Sequence, residues 1–101
     1  MIVSVSPSSA SGTLQAPPSK SCMQRACAAA LINNGTTVID NAGSSNDEQA
    51  AMNIVQKLGA TVDSIRNEVI ITSNNHIFTS TYEGKHTIIS CGESGLSLRM
   101  F

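Results

Sequence analysis

The sequence carries little charge. Only 13% of its 101 residues are Asp, Glu, Lys or Arg, and the formal net charge is −1. Nucleic-acid-binding domains need a basic patch or stripe, so this composition argues against a nucleic-acid partner. No apolar run approaches the roughly 20 residues that span a bilayer, and the first residues lack the basic and apolar regions of a signal peptide. We therefore expect a cytoplasmic protein that contacts neither membrane nor nucleic acid.

Cysteine is also scarce. The three cysteines, Cys22, Cys27 and Cys91, are an odd number without paired spacing. This pattern favours reduced thiols in a cytosolic protein over a disulfide framework. Neither His76 nor His86 stands at zinc-ligand spacing from a cysteine pair, so no metal site is expected.

Apolar residues, in contrast, make up 41% of the chain and follow helical and strand-like periods. These periods predict an α/β (α+β) domain. A proline-rich turn and several glycine- or asparagine-containing turns separate the elements. The first predicted elements are a strand over 1–5, an extended segment over 13–16, a helix over 19–33, a strand over 36–40 and a helix from 45 to 58. Two strands over 60–65 and 68–72 follow, joined in a hairpin at Arg66-Asn67. The last are a weaker extended segment over 76–82, a strand over 85–90 and the start of a helix over 96–101.

The first helix follows the stiff turn at Pro17-Pro18 and carries Lys20, Ser21 and Arg25 near its start. A helix N-terminus has unpaired N–H groups and a partial positive charge, which favour an anion. On a helical wheel these three residues and Gln24 lie opposite the buried face. The pattern predicts a phosphate or carboxylate site, and an ordinary solvated helix face is the alternative.

A second turn of the same type, Gly92 to Gly95, leads into the last predicted helix, with Arg99 one turn further on. Gly95 allows a backbone to approach a ligand closely because it has no Cβ. The sequence therefore places basic residues at two potential anion sites. No nucleophile with a partner histidine and no pair of carboxylates stands out, so no catalytic residue is predicted within the chain.

The helix that begins at Ser45 has the Ser-x-x-Glu form of a capping box. Within it, Asp47 has two interpretations. It either caps the helix and complements its dipole in the first turn, which is the favoured interpretation, or orients a nearby cation.

Four stretches in register resemble 3-phosphoshikimate 1-carboxyvinyltransferase (EPSP synthase). Residues 17–26, Pro-x-Ser-Lys-Ser-x-x-x-Arg-Ala, resemble the family signature Pro-Gly-[Ser/Asp]-Lys-Ser-x-[Ser/Thr]-x-Arg-Ala. Residues 35–41, 45–60 and 92–99 match three later family motifs in the same order. The resemblance covers nearly the whole chain, and the Lys-Ser-x-x-x-Arg spacing is specific.

The resemblance implies an inside-out α/β fold of two domains, each built from three βαβαββ units. Residues 1–101 are then expected to be a truncated N-terminal fragment, with one such unit and the start of the next. The implied reaction moves the enolpyruvyl group of phosphoenolpyruvate to the 5-hydroxyl of shikimate 3-phosphate and releases phosphate, as a step toward chorismate and the aromatic amino acids. It implies no metal, no organic cofactor and a monomeric full-length enzyme.

By position, the resemblance implies that shikimate 3-phosphate contacts Lys20, Ser21 and Arg25. It implies that phosphoenolpyruvate contacts Lys20 and Gly95. The family's acid–base groups come from later in the chain, so the fragment alone is expected to be inactive. Three further residues are expected to line the site: Asp47, Glu93 and Arg99.

The sequence departs from the family pattern at three positions. Pro18 replaces a glycine, Glu93 replaces an asparagine and Leu96 replaces a threonine. A carboxylate at position 93 repels an anionic substrate unless it is paired or protonated. Two alternatives remain: the related UDP-N-acetylglucosamine enolpyruvyl transferase, whose turn has a Lys-Asn pair, and a catalytically silent anion-binding or structural domain.

Overall fold

A computed structural model describes residues 1–74 and 87–101. Within these ranges the chain forms three helices and three strands. In chain order they are α1 (Lys20–Ile32), β1 (Gly35–Ile39), α2 (Asn46–Lys57), β2 (Thr61–Ile65), β3 (Glu68–Ser73) and α3 (Gly95–Met100).

The two long helices begin where the sequence predicts. Ser19 is the N-cap of α1, and its hydroxyl accepts a hydrogen bond from the Cys22 N–H at 3.4 Å. At the start of α2, Ser45 and Glu48 form the predicted capping box: the Ser45 N–H donates to Glu48 Oε2 at 2.8 Å, and the Glu48 N–H donates to Ser45 Oγ. These bonds satisfy N–H groups that have no partner inside the helix.

The three strands form one antiparallel sheet in the order β1-β3-β2. The predicted hairpin at Arg66-Asn67 is confirmed, and Arg66 adopts the left-handed φ of 55° that a tight turn requires. Thr72 of β3 is aligned with Thr36 of β1, and their hydroxyls lie 3.2 Å apart. Strand β3 is the central strand, because it pairs with β1 on one side and with β2 on the other.

Helices α1 and α2 pack together and cover one face of this sheet. Apolar residues at helical spacing and alternate residues of β3 form the core between them, as the periodicity predicts. The core residues are Met23, Cys27, Ala30, Leu31, Ala51, Met52, Val55, Ala60, Val69 and Ile71.

Three predicted extended segments do not form strands. Residues 1–5 and 13–16 have no regular secondary structure, and Met1, Ile2 and Val3 are exposed. Residues 87–90 are also irregular, while 85–86 and the predicted segment over 76–82 lie outside the described residues. An isolated strand needs a hydrogen-bonded neighbour, and apolar composition alone does not provide one.

The α/β class is confirmed. The order α1-β1-α2-β2-β3 corresponds to the expected βαβαββ unit without its first strand. A turn and α3 follow within residues 91–100. None of the helices in the described part of the chain is long and apolar enough to cross a membrane.

Candidate functional site

The first turns of all three helices lie next to one another. A salt bridge joins Lys20 of α1 to Asp47 of α2. Two side-chain hydrogen bonds then join Asn46 of α2 and Gln24 of α1 to the turn that precedes α3. Elements that are distant in sequence therefore meet at one end of the helical layer.

The contact between α1 and α2 is an ion pair. Lys20 Nζ lies 3.0 Å from Asp47 Oδ2. No other ion pair is found within residues 1–74 and 87–101. The lysine side chain is 57% exposed, whereas the aspartate side chain is 17% exposed. The more buried carboxylate thus orients a cation whose other side faces solvent. Of the two interpretations of Asp47, its orienting role is the one that this contact supports, because Ser45 and Glu48 cap the helix.

The negative charges around Lys20 raise its pKa above the usual value. The hydrogen bond to Asp47 and the charge of that carboxylate raise the pKa most; desolvation ranks next and lowers it, and the charges of Glu93 and Glu48 raise it by smaller amounts. Lys20 therefore remains a cation at neutral pH. Three carboxylates act on this one ammonium group.

Glu93 has a partner. Asn46 Nδ2 donates a hydrogen bond to Glu93 Oε1 at 3.0 Å, across the gap between α2 and the turn before α3. Glu93 is exposed. The bond fixes the position of the carboxylate but does not neutralise its charge, since an amide is uncharged. The repulsion of an anionic ligand that the sequence predicts for Glu93 is therefore retained.

Gln24 does not lie on the exposed face that the helical wheel predicts. Gln24 is 1% exposed, and its Oε1 accepts a hydrogen bond from Ser94 Oγ at 3.1 Å. The prediction was wrong because α3 packs against this side of α1. The wheel positions a residue around the helix axis, but it contains no information on a second helix that covers the polar side.

Glu48 is a buried carboxylate below the site. It is 3% exposed, and its Oε1 has no hydrogen-bond partner among the described residues. Gly43 lies against it so closely that a Cβ at position 43 would overlap the carboxylate oxygens. The capping box therefore depends on a glycine five residues before Glu48.

Burial raises the pKa of the nearby Cys27 thiol to about 11, and the charge of Glu48 contributes to this rise.

The other residues expected in the site are exposed residues of α1 and α3. Ser21 follows Lys20 directly, Arg25 lies further along α1, and both are exposed. Gly95 is the exposed first residue of α3, and a Cβ added there would meet nothing within 4 Å. Arg99 is exposed in the last turn of α3. These four residues and Lys20 are therefore all exposed to solvent.

No group of three or more His, Cys, Asp or Glu side chains within residues 1–74 and 87–101 is arranged to hold a metal ion. Cys22, Cys27 and Cys91 are free thiols, with Cys22 exposed and Cys27 buried.

Two residues of the site, Asn46 and Ser94, are not predicted from the sequence. Asn46 stands at a predicted helix start and Ser94 in a glycine-flanked turn, and neither position indicates a contact with a distant residue. The Asn46–Glu93 and Gln24–Ser94 contacts each join residues far apart in sequence. The one available signal for Ser94 is its place before a helix start, which is typical of an N-cap serine.

These features define an α/β domain that presents a lysine at adjoining helix starts, an arrangement suited to an anionic ligand. The model of the family described as EPSP synthase (3-phosphoshikimate 1-carboxyvinyltransferase) matches residues 5–101. The chain belongs to this family, as the four sequence motifs predict.

Individual relatives agree with this assignment. The chain is 36% identical over 97 residues to the 3-phosphoshikimate 1-carboxyvinyltransferase of Clostridium perfringens, covering 96% of this chain and 22% of the relative. It is 38% identical over 97 residues to that of Chlamydia felis, covering 96% and 21%. It is 33% identical over 92 residues to the chloroplastic protein of Brassica napus, covering 88% and 18%. The chain thus spans about a fifth of the length of the curated relatives it matches.

Proposed function

We propose that this chain is the N-terminal part of an enolpyruvyl transferase that uses phosphoenolpyruvate and shikimate 3-phosphate. In this reaction the enolpyruvyl group moves to the 5-hydroxyl of shikimate 3-phosphate and phosphate is released. Membership of the EPSP synthase family over residues 5–101 supports the proposal. The structural observation that carries it is the Lys20–Asp47 ion pair, which holds a solvent-facing ammonium group inside the family's Lys-Ser-x-x-x-Arg motif.

The proposed roles follow from the chemistry of the side chains. Lys20 acts as a compact positive charge on both substrates, and Arg25 provides a planar fork that suits a phosphate. Ser21 donates a hydrogen bond to shikimate 3-phosphate from its hydroxyl. Gly95 allows phosphoenolpyruvate to approach the backbone. Three further residues line the site: Asp47, Glu93 and Arg99.

The role proposed for these residues is binding and orientation. Lys20 is held as a cation by Asp47, and Glu93 is an exposed carboxylate fixed by an amide. We assign the proton transfers of the reaction to groups outside residues 1–101. The isolated chain is then one wall of the substrate pocket and has no transferase activity. The full-length enzyme is proposed to be a cytoplasmic monomer that needs no metal or organic cofactor.

The test is phosphate release by the purified full-length protein, with the isolated 101-residue chain as the comparison. The proposal predicts release that requires both phosphoenolpyruvate and shikimate 3-phosphate, and none from the isolated chain. Release with UDP-N-acetylglucosamine instead of shikimate 3-phosphate would identify the related transferase. A full-length protein inactive with either acceptor would indicate a catalytically silent domain.

A further inference from the structure

Ser94 joins the two helices that carry the proposed substrate contacts. Its hydroxyl donates to Gln24 Oε1 at 3.1 Å and accepts from the Ser97 N–H at 3.1 Å. A serine hydroxyl has one proton and two lone pairs, so both bonds form at once. Ser94 is therefore the N-cap of α3 and also a fixed contact to α1.

Both partners are removed from water. Gln24 is 1% exposed and Ser94 is 2% exposed. A buried hydroxyl that loses its acceptor is costly, because water cannot replace it. The bond is therefore a stronger constraint on the position of the turn than a similar bond at the surface.

The two helices depend on this bond to different degrees. Helix α1 has 13 residues and is anchored in the core through Met23, Cys27, Ala30 and Leu31. Residues 95–100 of α3 contribute none of the buried core residues, and the buried residue among them is Ser97. Loss of the bond should therefore displace the turn and α3 while α1 stays in place.

We propose that Gln24 is a positioning residue that sets the location of Gly95 relative to Lys20. Lys20 and Gln24 lie one turn apart on α1, and Gly95 directly follows Ser94. The bond thereby holds Gly95, a proposed contact of phosphoenolpyruvate, in a fixed position relative to Lys20, a proposed contact of shikimate 3-phosphate. This inference rests on the proposed function, and it adds a residue that touches neither substrate.

The test compares Gln24→Leu and Ser94→Ala in the full-length protein by steady-state phosphate release. Each variant should raise the KM for phosphoenolpyruvate by about fivefold to tenfold, the effect of one lost buried hydrogen bond. The KM for shikimate 3-phosphate should change by less than about twofold, since α1 keeps its packing. The double variant should lose little more than Ser94→Ala alone, because both changes remove the same bond.

Ser97→Ala is the matched control. Ser97 is fully buried in the same helix, and its Oγ has no hydrogen-bond partner among the described residues. Its backbone N–H, which completes the cap, is unaffected by the change. This variant should keep both KM values of the wild type.

Amide hydrogen exchange on the same proteins provides a second readout. Gln24→Leu should accelerate exchange in residues 95–100 and leave α1 unchanged. Equal changes in both KM values, no change in either, or unaltered exchange in α3 would overturn the positioning role. A wild-type protein that binds neither substrate would overturn the proposed function, and the exchange comparison would still decide whether the bond fixes the turn.

Discussion

Lys20 Nζ lies 3.0 Å from Asp47 Oδ2, so one ion pair joins the first turns of the two long helices. The pair leaves most of the lysine side chain exposed to solvent while the carboxylate is largely covered. A basic residue in the first turn of a helix is unfavourable for the helix dipole. The nearby carboxylate offsets this cost, and it keeps a cation at the place where the family motif predicts an anionic substrate.

The ion pair predicts an alkaline shift in the titration of Lys20. Asp47 raises the lysine pKa, so Asp47→Asn should lower it toward the usual value near 10.4. Because the folded pKa is raised, the pair stabilises the fold fully below the unfolded pKa, and this contribution is lost as the pH rises through the folded value. NMR titration of the lysine side chains measures the change, with exposed Lys57 as the internal control. An unchanged Lys20 midpoint in Asp47→Asn would show that the pair does not form in solution.

The charge of Glu93 predicts a gain in affinity when it is removed. Glu93→Gln keeps an oxygen that accepts from Asn46 but removes one negative charge near Lys20. We expect the KM for phosphoenolpyruvate in the full-length protein to fall by about twofold to fivefold at low salt, and the gain to shrink as salt rises. Asp63→Asn on β2 removes an exposed charge elsewhere and serves as the control. Equal effects of both variants would indicate net charge alone, and a higher KM in Glu93→Gln would contradict the repulsion.

The contact of Gly43 with Glu48 predicts a loss of stability in Gly43→Ala. The added Cβ would overlap the Glu48 carboxylate and force it out of the capping box. The expected cost is about 1–3 kcal/mol in the free energy of unfolding, measured by chemical denaturation. Combining Gly43→Ala with Glu48→Ala removes the overlapping atoms, so the glycine change should cost much less in that background. Equal costs in both backgrounds would argue against this contact.

The burial of Cys27 predicts selective alkylation. With a pKa of about 11 the thiol is protonated at neutral pH, and the thiolate is the reactive form. Cys22, which is exposed, should react with iodoacetamide in the native protein, whereas Cys27 should react only after unfolding. Peptide mass spectrometry after timed labelling distinguishes the two sites. Labelling of Cys27 at the rate of Cys22 under native conditions would contradict its place in the core.

The helices and the hairpin could be predicted from the sequence because their signals are local. Ser19 and Ser45 are caps next to periodic apolar residues, and Arg66-Asn67 joins two β-branched runs. Contacts between distant elements gave no such signal: the burial of Gln24 depends on α3. The prediction of a strand over 1–5 was wrong, because a strand needs a second strand to pair with and apolar composition does not indicate one.

The candidate site was predictable to the same degree. The Lys-Ser-x-x-x-Arg motif located Lys20 and Arg25 on the first helix, and the capping box located Asp47 in the first turn of the next. The sequence favours capping and dipole complement for Asp47, because these depend only on its place in the first turn of α2. Its contact with Lys20 depends on which helix starts are neighbours, and a local pattern contains no information on that. The ion pair with Lys20 and the bond that fixes Glu93 follow from the packing of α1, α2 and α3.

The most direct test of the central claim is the affinity of Lys20→Ala for shikimate 3-phosphate, measured by calorimetry in the full-length protein. We expect a loss of about tenfold or more, as for a charge-assisted contact to phosphate, and no recovery in Lys20→Arg, because the site needs a compact charge. Lys57→Ala removes a lysine at the other end of α2 and should bind as the wild type does. Unchanged affinity in Lys20→Ala, or an equal loss in Lys57→Ala, would return Lys20 to the role of a solvated surface residue and contradict the proposed site.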